Sequence, residues 1–290
     1  MRAMRFAVVA HRSTETNGRL AEAASACGVE GLVLAPRDAL RLLEPGDAAL
    51  ARLDVRESLD GVESGISELD RLAEAGVRVL NPAASLIASH DKLLTARVLR
   101  LARLPHPRTW LIGHGMPAPM PELPVVLKPR FGSWGRDVTR CDTQEELDAA
   151  LVAAAGTSWF REHGALAQAL VPPLGWDLRL VVARGRVVGA AQRVATRGEW
   201  RTNASLGSRV EPVSPPPLAR TLAIAAAEAV RVDLVGVDLL PTRSGFVVLE
   251  LNGAVDVRPL YSLAGDVYRD AVVELLRAVA EGSGLAAVGA

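Results

Sequence analysis

The stretch GVDLLPTRSGFVVLELNG, residues Gly236–Gly253, places Asp238, Glu250 and Asn252 in what reads as one short β-hairpin. Two apolar runs rich in β-branched residues flank a turn signal. With Arg243-Ser244-Gly245 as a three-residue loop, glycine takes the left-handed position. Thr242 then faces Phe246, and Asp238 falls opposite Glu250. Asn252, two residues on, shares the face of Glu250. Like charges directly opposed across a strand pair destabilise it. A lone acidic pair is more often a solvated face, but strands this apolar imply burial, where carboxylates need partners. Two carboxylates and an amide oxygen make an all-oxygen set suited to hard Mg²⁺, with Mn²⁺ as its substitute, rather than to zinc. Magnesium usually bridges to substrate phosphates. The hairpin therefore predicts a nucleotide or phosphorylated substrate nearby.

Phosphates need positive charge and backbone donors. Lys128 ends an apolar strand, and Gly132-Ser133-Trp134-Gly135 follows. The two glycines let backbone N–H groups approach phosphate oxygens, as a flexible flap would. This is no Walker A sequence, and alone it reads as a glycine turn beside a surface lysine. Lys92 follows Asp91 on a helix and alone reads as a solvated ion pair. Asp177 and Arg179 alternate with Leu178 and Leu180 in one strand, and Arg193 lies on the return strand. A three-residue loop between them puts Arg193 opposite Asp177; a two-residue loop does not. Arg201 and Asn203 sit in the polar loop EWRTNASLG. Each arginine alone is commonplace on a surface; together they suit a triphosphate or the fork-like grip of a substrate carboxylate. The five histidines show no ligand spacing and are taken as structural or exposed, and no serine sits in a nucleophile elbow.

Strands and helices must hold these groups in place. Residues 1–84 alternate strand and helix, which implies a parallel sheet with helices on its faces. There Asn17 is expected to cap the first helix, which Gly28 ends. No G-x-G-x-x-G follows the first strand, so no dinucleotide is placed there. Ser89 is expected to cap the helix carrying Lys92. A proline-rich connector from Pro105 to Pro124 marks a lobe boundary with one short strand in it, and Thr143 with Glu146 forms a capping box. The expected division is 1–84, 85–166 and 167–282, with a flexible tail at 283–290. In the last lobe antiparallel pairs alternate with helices, one of them capped by Ser214 with prolines in its first turn.

The whole chain narrows the function classes. Its 290 residues, 49% of them hydrophobic, allow a sizeable core and two or three lobes. Lys+Arg 33 against Asp+Glu 33 gives no basic excess for nucleic acid. Cys27 and Cys141 offer neither a disulfide framework nor zinc spacing. No stretch is long and apolar enough to span a bilayer, and a reducing cytoplasm is the expected compartment.

Taken in order, NP…SHDKLLT, LPHPRTW, VVLKPRFGSWGRDV, QALV…GWDLRLVV, RVVGAAQRV, WRTNASLG, VGVDLL and FVVLELNG resemble the ATP-grasp ligases, in the branch of RimK-type α-L-glutamate ligases and related amino-acid ligases. The resemblance runs from about Asn81 to the last helix. It implies an α/β chain: an N-terminal α/β domain before two ATP-grasp lobes that enclose ATP. It implies that Lys92 and Lys128 contact ATP and that Gly132, Ser133, Trp134 and Gly135 form the flap. Asp177 would bind ribose, and Asp238, Glu250 and Asn252 would hold magnesium. Arg193, Arg201 and Asn203 would meet phosphate or acyl-phosphate charge, with Arg179, Arg201 and Asn203 facing the substrate. The adenine hinge would be Gln168-Ala169-Leu170-Val171, where the family commonly has Gln-Glu-aromatic-hydrophobic. Backbone contacts from Gln168, Ala169 and Val171 survive that change; a glutamate side-chain contact does not. After Asn252, many relatives continue with a proline-glycine turn, whereas this chain has GAVDVRPLYS. The implied reaction joins a carboxylate to an amine through an acyl phosphate and releases ADP. The acceptor is a small molecule, a peptide or a carrier protein, and a homo-oligomer is in keeping with such ligases. A phosphotransferase on the same fold and a silent ATP-binding protein are the alternatives.

Overall fold

The computed structural model describes residues 2–113 and 121–282. The expected tail at 283–290 and part of the proline-rich connector lie outside them. Near the N-terminus, β1 (Arg5–Val9), β2 (Glu30–Leu34), β3 (Ala48–Ala51) and β4 (Arg78–Leu80) form a parallel sheet in the order β2-β1-β3-β4. Helices α1 (Glu15–Ala26), α2 (Pro36–Leu42) and α3 (Ile66–Glu74) connect its strands. Every residue of β3 is buried, as a parallel strand covered on both faces requires. The α1 cap is Thr14, which accepts from the Asn17 N–H. Asn17 is no cap but a buried cross-link: its amide donates to Arg12 O and accepts from Arg52 Nε at 2.6 Å.

Between this sheet and the next, α4 (Ala83–His90) and α5 (Lys92–Leu101) meet at Asp91. The cap of α5 is Asp91, not Ser89: its Oδ1 accepts from Leu93 and Leu94 N–H at 3.0 and 3.2 Å. Ser89 lies inside α4 and donates to Leu86 O. Because Arg130 also grips Asp91 through two hydrogen bonds, Lys92 is left for another partner.

The central sheet is antiparallel, in the order β5 (Thr109–Ile112), β8 (Ala165–Ala169), β6 (Val125–Pro129), β7 (Thr139–Cys141). A boundary at 166 would pass inside β8. Helices α6 (Gln144–Ala154) and α7 (Ser158–His163) accompany this sheet, and the Thr143–Glu146 capping box is present in both directions.

The third sheet runs β11 (Arg209–Pro212), β10 (Arg186–Val194), β9 (Trp176–Ala183), β12 (Leu234–Thr242), β13 (Gly245–Asn252). Leu178, Leu180 and Val182 turn one face of β9 into a core with α8 (Pro217–Val230). That helix begins at Pro216–Pro217 rather than under a Ser214 cap. On the other face, Val181 and Ala183 join α9 (Val267–Gly282) and the first sheet in a shared core with Phe6, Val8, Tyr268 and Leu275. The polar end of that same face bears Asp177 and Arg179.

Candidate active site in the interlobe cleft

Two hairpins set the charged register. In β12–β13 the turn holds two residues, with Thr242 paired to Gly245 rather than to Phe246. A two-residue turn in a regular ladder would put Asp238 opposite Leu249. A β-bulge at Leu249 takes up the extra residue, and Asp238 pairs with Glu250 after all. The bulge also re-aims a side chain: Leu249 and Glu250, neighbours in sequence, both line the cleft. In β9–β10 the turn is again two residues, and a shift at Val188 brings Arg193 opposite Asp177. Asp238 pairs on its other side with Arg179.

The resulting network is buried and charge-balanced. Arg179 grips Asp238 with two hydrogen bonds of 2.8 Å. Arg193, 4% exposed, lies 2.9 Å from Asp238 and grips Asp177 with both arms of its guanidinium. Thr202 adds a 2.6 Å hydrogen bond to Asp177. Burial opposes ionisation of Asp238, but Arg179 and Arg193 outweigh it and hold its carboxyl well below the usual range. Burial pushes the Asp177 carboxyl upward against the pull of Arg193. Glu250 is partnered differently: Lys92 Nζ stands 3.4 Å from its Oε2. The repulsion expected between the opposed carboxylates is thus met by arginines on one side and a lysine on the other.

Lys128 belongs to a second chain of contacts. Its ammonium donates to Gln168 Oε1 at 2.7 Å. The Gln168 amide donates to Thr109 Oγ1 at 3.0 Å and lies 3.3 Å from His106 Nε2. His106 Nδ1 is 2.8 Å from Val248 O, a carbonyl that can only accept. Nδ1 therefore carries the proton, and Nε2 accepts from Gln168. Burial holds His106 neutral, with its pKa lowered to about 4. Burial also lowers Lys128 to about 8, although Glu250 pulls the other way. Val248 donates its own N–H to Pro105 O at 2.9 Å. The Pro105–His106 segment thus docks on the outer edge of β13 and ties the two lobes together beside the bulge.

The flap closes over this floor. Lys92 Nζ donates to Gly132 O at 2.5 Å, Ser205 to Trp134 O at 2.8 Å and Arg201 to Gly135 O at 3.2 Å. Trp134 and Gly135 both have positive φ, 63° and 68°. A Cβ on Gly135 would sit 2.9 Å from Asn203 Oδ1, so any side chain there would displace Asn203. Arg136 reaches Glu57 O at 3.1 Å, fastening the flap to the first domain. The cleft beneath encloses about 120 Å³, below the ~300–1,000 Å³ of typical ligand sites.

The cleft gathers Lys92, Lys128, Gly132, Ser133, Trp134, Gly135, Gln168, Ala169, Val171, Asp177, Arg193, Arg201, Asn203, Asp238 and Glu250. Arg179 and Asn252 are not in its lining: Arg179 stands behind Asp238, and Asn252 pairs with Gly236 two residues beyond the acidic pair. One end of the cleft is apolar, with Val126, Leu170, Pro172, Leu174, Trp176, Leu240 and Leu249. Sequence reasoning missed the relay through His106 and Thr109, and missed Thr202. Only the position of Thr202 between Arg201 and Asn203 could have signalled its part.

A hard divalent cation fits the donor set. Asp238 is ionised, its two oxygens held by Arg179 and Arg193, and the Glu250 carboxylate accepts no hydrogen bond among the described residues, with Lys92 Nζ 3.4 Å away. One terminal amide atom of Asn252, Nδ2, is buried without a partner; amide O and N are interchangeable by a flip, and the flipped group would offer a free oxygen. Among the described residues no cluster of three or more His, Cys, Asp or Glu could hold a metal, so the candidate is this mixed carboxylate–amide set.

Comparison with known proteins places the geometry. The model of the RimK-like ATP-grasp domain matches residues 89–273. A protein of Mannheimia succiniciproducens named a probable alpha-L-glutamate ligase is 28% identical over 245 residues, covering 82% of this chain and 79% of that protein. The crystal structure of a RimK domain ATP-grasp protein from Sphaerobacter thermophilus superposes with a TM-score of 0.65 at 24% identity, over 94% of this chain and 99% of the other. The ATP-grasp ligase PsnB, solved with a phosphomimetic variant of its minimal precursor, Mg and ADP, superposes at 0.64 and 18% identity, over 96% and 99%. With well over half its length matched, and with the lysines, flap and opposed carboxylates in one cleft, the chain belongs to the RimK-like ATP-grasp family.

Proposed function

We propose that this chain is an ATP-dependent, ADP-forming carboxylate–amine ligase whose reaction takes place in the cleft between the central and third sheets. The observation that carries the reading is the convergence of Lys92, Lys128 and the Gly132–Gly135 flap on the opposed Asp238 and Glu250. ATP enters with its base toward the apolar end and its phosphates toward the lysines. At the hinge Ala169 contributes no polar side chain, so base recognition falls to backbone groups of 168–171. Asp238, Glu250 and Asn252 would hold Mg²⁺, or Mn²⁺ in its place, which when bound would supply neutralising charge for the phosphates.

The chain's own groups do the rest. Arg179 and Arg193 keep Asp238 ionised. Lys128, fixed by Gln168, and Lys92, poised between Gly132 and Glu250, give stationary positive charge to the departing phosphoryl oxygens. A substrate carboxylate takes the γ-phosphoryl group, forming an acyl phosphate and ADP. An amine then displaces phosphate to form the amide. Arg201 and Asn203, beneath the flap, face the acyl-phosphate end, and closure of the flap keeps water from the intermediate. The relatives' name supports glutamate as the amino acid added; the acceptor belongs to the broader class of carboxylate or amine, free or on a peptide.

The test is a screen for ADP release over paired acids and amines, with mass spectrometry of the product. An amide product with one ADP formed per bond is expected; AMP plus pyrophosphate, or a stable phosphorylated product with no amide, would overturn the assignment. Glu250→Gln should lose at least ~10–100-fold in apparent Mg²⁺ affinity and turnover. It is a cleaner probe than Asp238→Asn, which strips the counter-charge from two buried arginines.

A further inference from the structure

Away from the cleft, the segment from α5 to β5 concentrates four arginines, of which only Arg108 has an acidic partner among the described residues. A groove of about 810 Å³ is lined by Arg97, Arg100, Arg103 and Arg108, with Trp110 and Leu111 among its apolar walls. Arg97, Arg100 and Arg103 are exposed, and among the described residues none of the three makes an ion pair or a side-chain hydrogen bond. Arg108 stacks over Trp110, 4.8 Å from its centroid, and among the described residues its one acidic partner is the exposed Glu122, at 3.7 Å. In a chain of formal net charge +0, four arginines with one distant acid between them make a local excess.

The same groove borders a strand edge that no other strand covers among the described residues. Among the described residues β5 is the outer strand of its sheet and pairs with β8 alone. Ala169 donates its N–H to Arg108 O at 2.8 Å, which fixes the alternation. Arg108, Trp110 and Ile112 turn their backbone groups to β8. Thr109 and Leu111 turn theirs outward, where nothing among the described residues pairs with them. Unpaired edges of this kind accept a further strand.

We propose that the groove docks an extended acidic peptide segment of a partner protein. The segment adds to the β5 edge through backbone hydrogen bonds, and its carboxylates meet the guanidinium forks of Arg97, Arg100, Arg103 and Arg108. Alternate residues of an extended peptide put carboxylates on one side every ~6.6 Å, so a Glu-x-Glu pattern presents several acids to this one wall. A peptide fits better than a nucleic acid: Trp110 is only 8% exposed and lies under Arg108, leaving no aromatic platform for bases, and a strand edge pairs with backbone amides rather than with phosphates. The proposal stands apart from the nucleotide chemistry, and its test uses no ATP.

The probe is a fluorescein-labelled Glu-Val-Glu-Val-Glu-Val-Glu peptide, followed by anisotropy on the full chain, beside its Gln-Val counterpart, a version N-methylated at alternate residues and a seven-nucleotide single-stranded RNA. The acidic peptide should bind at least tenfold more tightly than the Gln-Val peptide and weaken as salt rises. The triple variant R97Q/R100Q/R103Q, with its melting temperature unchanged, should lose that difference. Should the variant fail to fold, the salt dependence and the N-methylated peptide decide on the native chain, where N-methylation should cost at least tenfold. Equal binding of the acidic and Gln-Val peptides, full binding by the folded triple variant, indifference to N-methylation, or tighter binding of the RNA would each overturn the proposal.

Discussion

Burial holds the Lys128 ammonium at a pKa of about 8, within reach of ordinary assay conditions. The sign follows from the depressed value: Lys128 is charged below about pH 8 and loses its proton as pH rises through it. Phosphate binding favours the charged form, so ATP binding above pH 8 draws in a proton. The apparent KM for ATP should climb above pH 8 in the native chain and stay flat in Lys128→Arg, whose guanidinium keeps its charge. Lys128→Met should raise that KM by ~10–100-fold at pH 7, the worth of a charge-assisted hydrogen bond. A KM profile indifferent to pH between 7 and 9.5 in the native chain would remove Lys128 from phosphate binding. The relay behind it is open to a separate test. Gln168→Leu leaves the buried ammonium and His106 Nε2 without their partner, at a cost of ~1–3 kcal/mol per orphaned group. Chemical denaturation should record that loss, and the pKa of Lys128, followed by NMR of its labelled side chain, should move. A stability within 0.5 kcal/mol of native would show the relay to be incidental. Lys128 itself was legible in the sequence because a lysine ending an apolar strand is conspicuous. His106 was not: no spacing rule links a histidine in a proline-rich connector to a carbonyl 142 residues away.

At the scale of elements, the β-bulges decide which side chains meet. Counting loop residues leads to the right pair in β12–β13 through a three-residue turn that does not form; a two-residue turn and one bulge reach the same register. In β9–β10 the same compensation overturns the expectation that a two-residue loop keeps Arg193 from Asp177. Neither bulge is visible in the local sequence, because tertiary contacts select it: Gly189 bridges to Ser262, and Val248 is held by Pro105 and His106. Helix caps fail in the same way. Ser89, Asn17 and Ser214 are all good capping residues, but Asp91, Thr14 and Pro216 hold the positions where the chain actually turns. The strands' apolar runs, in contrast, were readable throughout, since burial on a sheet face leaves a pattern in every strand. The bulge makes a specific prediction. Deleting Leu249 turns β12–β13 into a regular ladder with Asp238 still opposite Glu250. The acid pair and the Mg²⁺ requirement should survive, while the apolar wall of the cleft loses one side chain. The KM for ATP should then rise about tenfold or more, the worth of ~1.5–3 kcal/mol for one buried leucine, with kcat changed far less. A fall in kcat as deep as that of Glu250→Gln would mean that the bulge, and not the pairing, positions the acids.

Across the whole molecule, the first domain supplies no residue to the lining of the cleft, yet it is fastened to the loop that follows Asn252. Thr16 exchanges hydrogen bonds with both the N–H and the C=O of Val257, and Arg52 donates to Val255 O at 2.8 Å. Asn81 is the central fastening. Fully buried, with φ 54°, it accepts from Asp233 and Leu234 N–H at 2.7 and 2.9 Å and donates to Leu234 O at 2.9 Å. Its backbone N–H meets Asp233 Oδ2 at 2.6 Å, and its amide also lies 3.4 Å from Ala51 O and from Gly253 O. One side chain thus joins the end of β3, the start of β12 and the residue after Asn252. No helix among the described residues is long and apolar enough to cross a membrane, and such polar staples instead join the sheets into one body. Asn81→Ala leaves two buried N–H groups without acceptors and puts alanine at a left-handed φ, a loss of ~2–5 kcal/mol. For a chain of this size that lowers Tm by several degrees. The more telling readout is ligand-linked: because Asn81 reaches Gly253, Asn81→Ala should weaken Mg²⁺-dependent ADP binding while leaving metal-free nucleotide binding at the apolar end nearly unchanged. Calorimetry with and without Mg²⁺ separates the two. Equal losses in both would make Asn81 a stabiliser of the fold alone; a loss confined to the metal-dependent part would make the first domain the device that holds Asn252 in place.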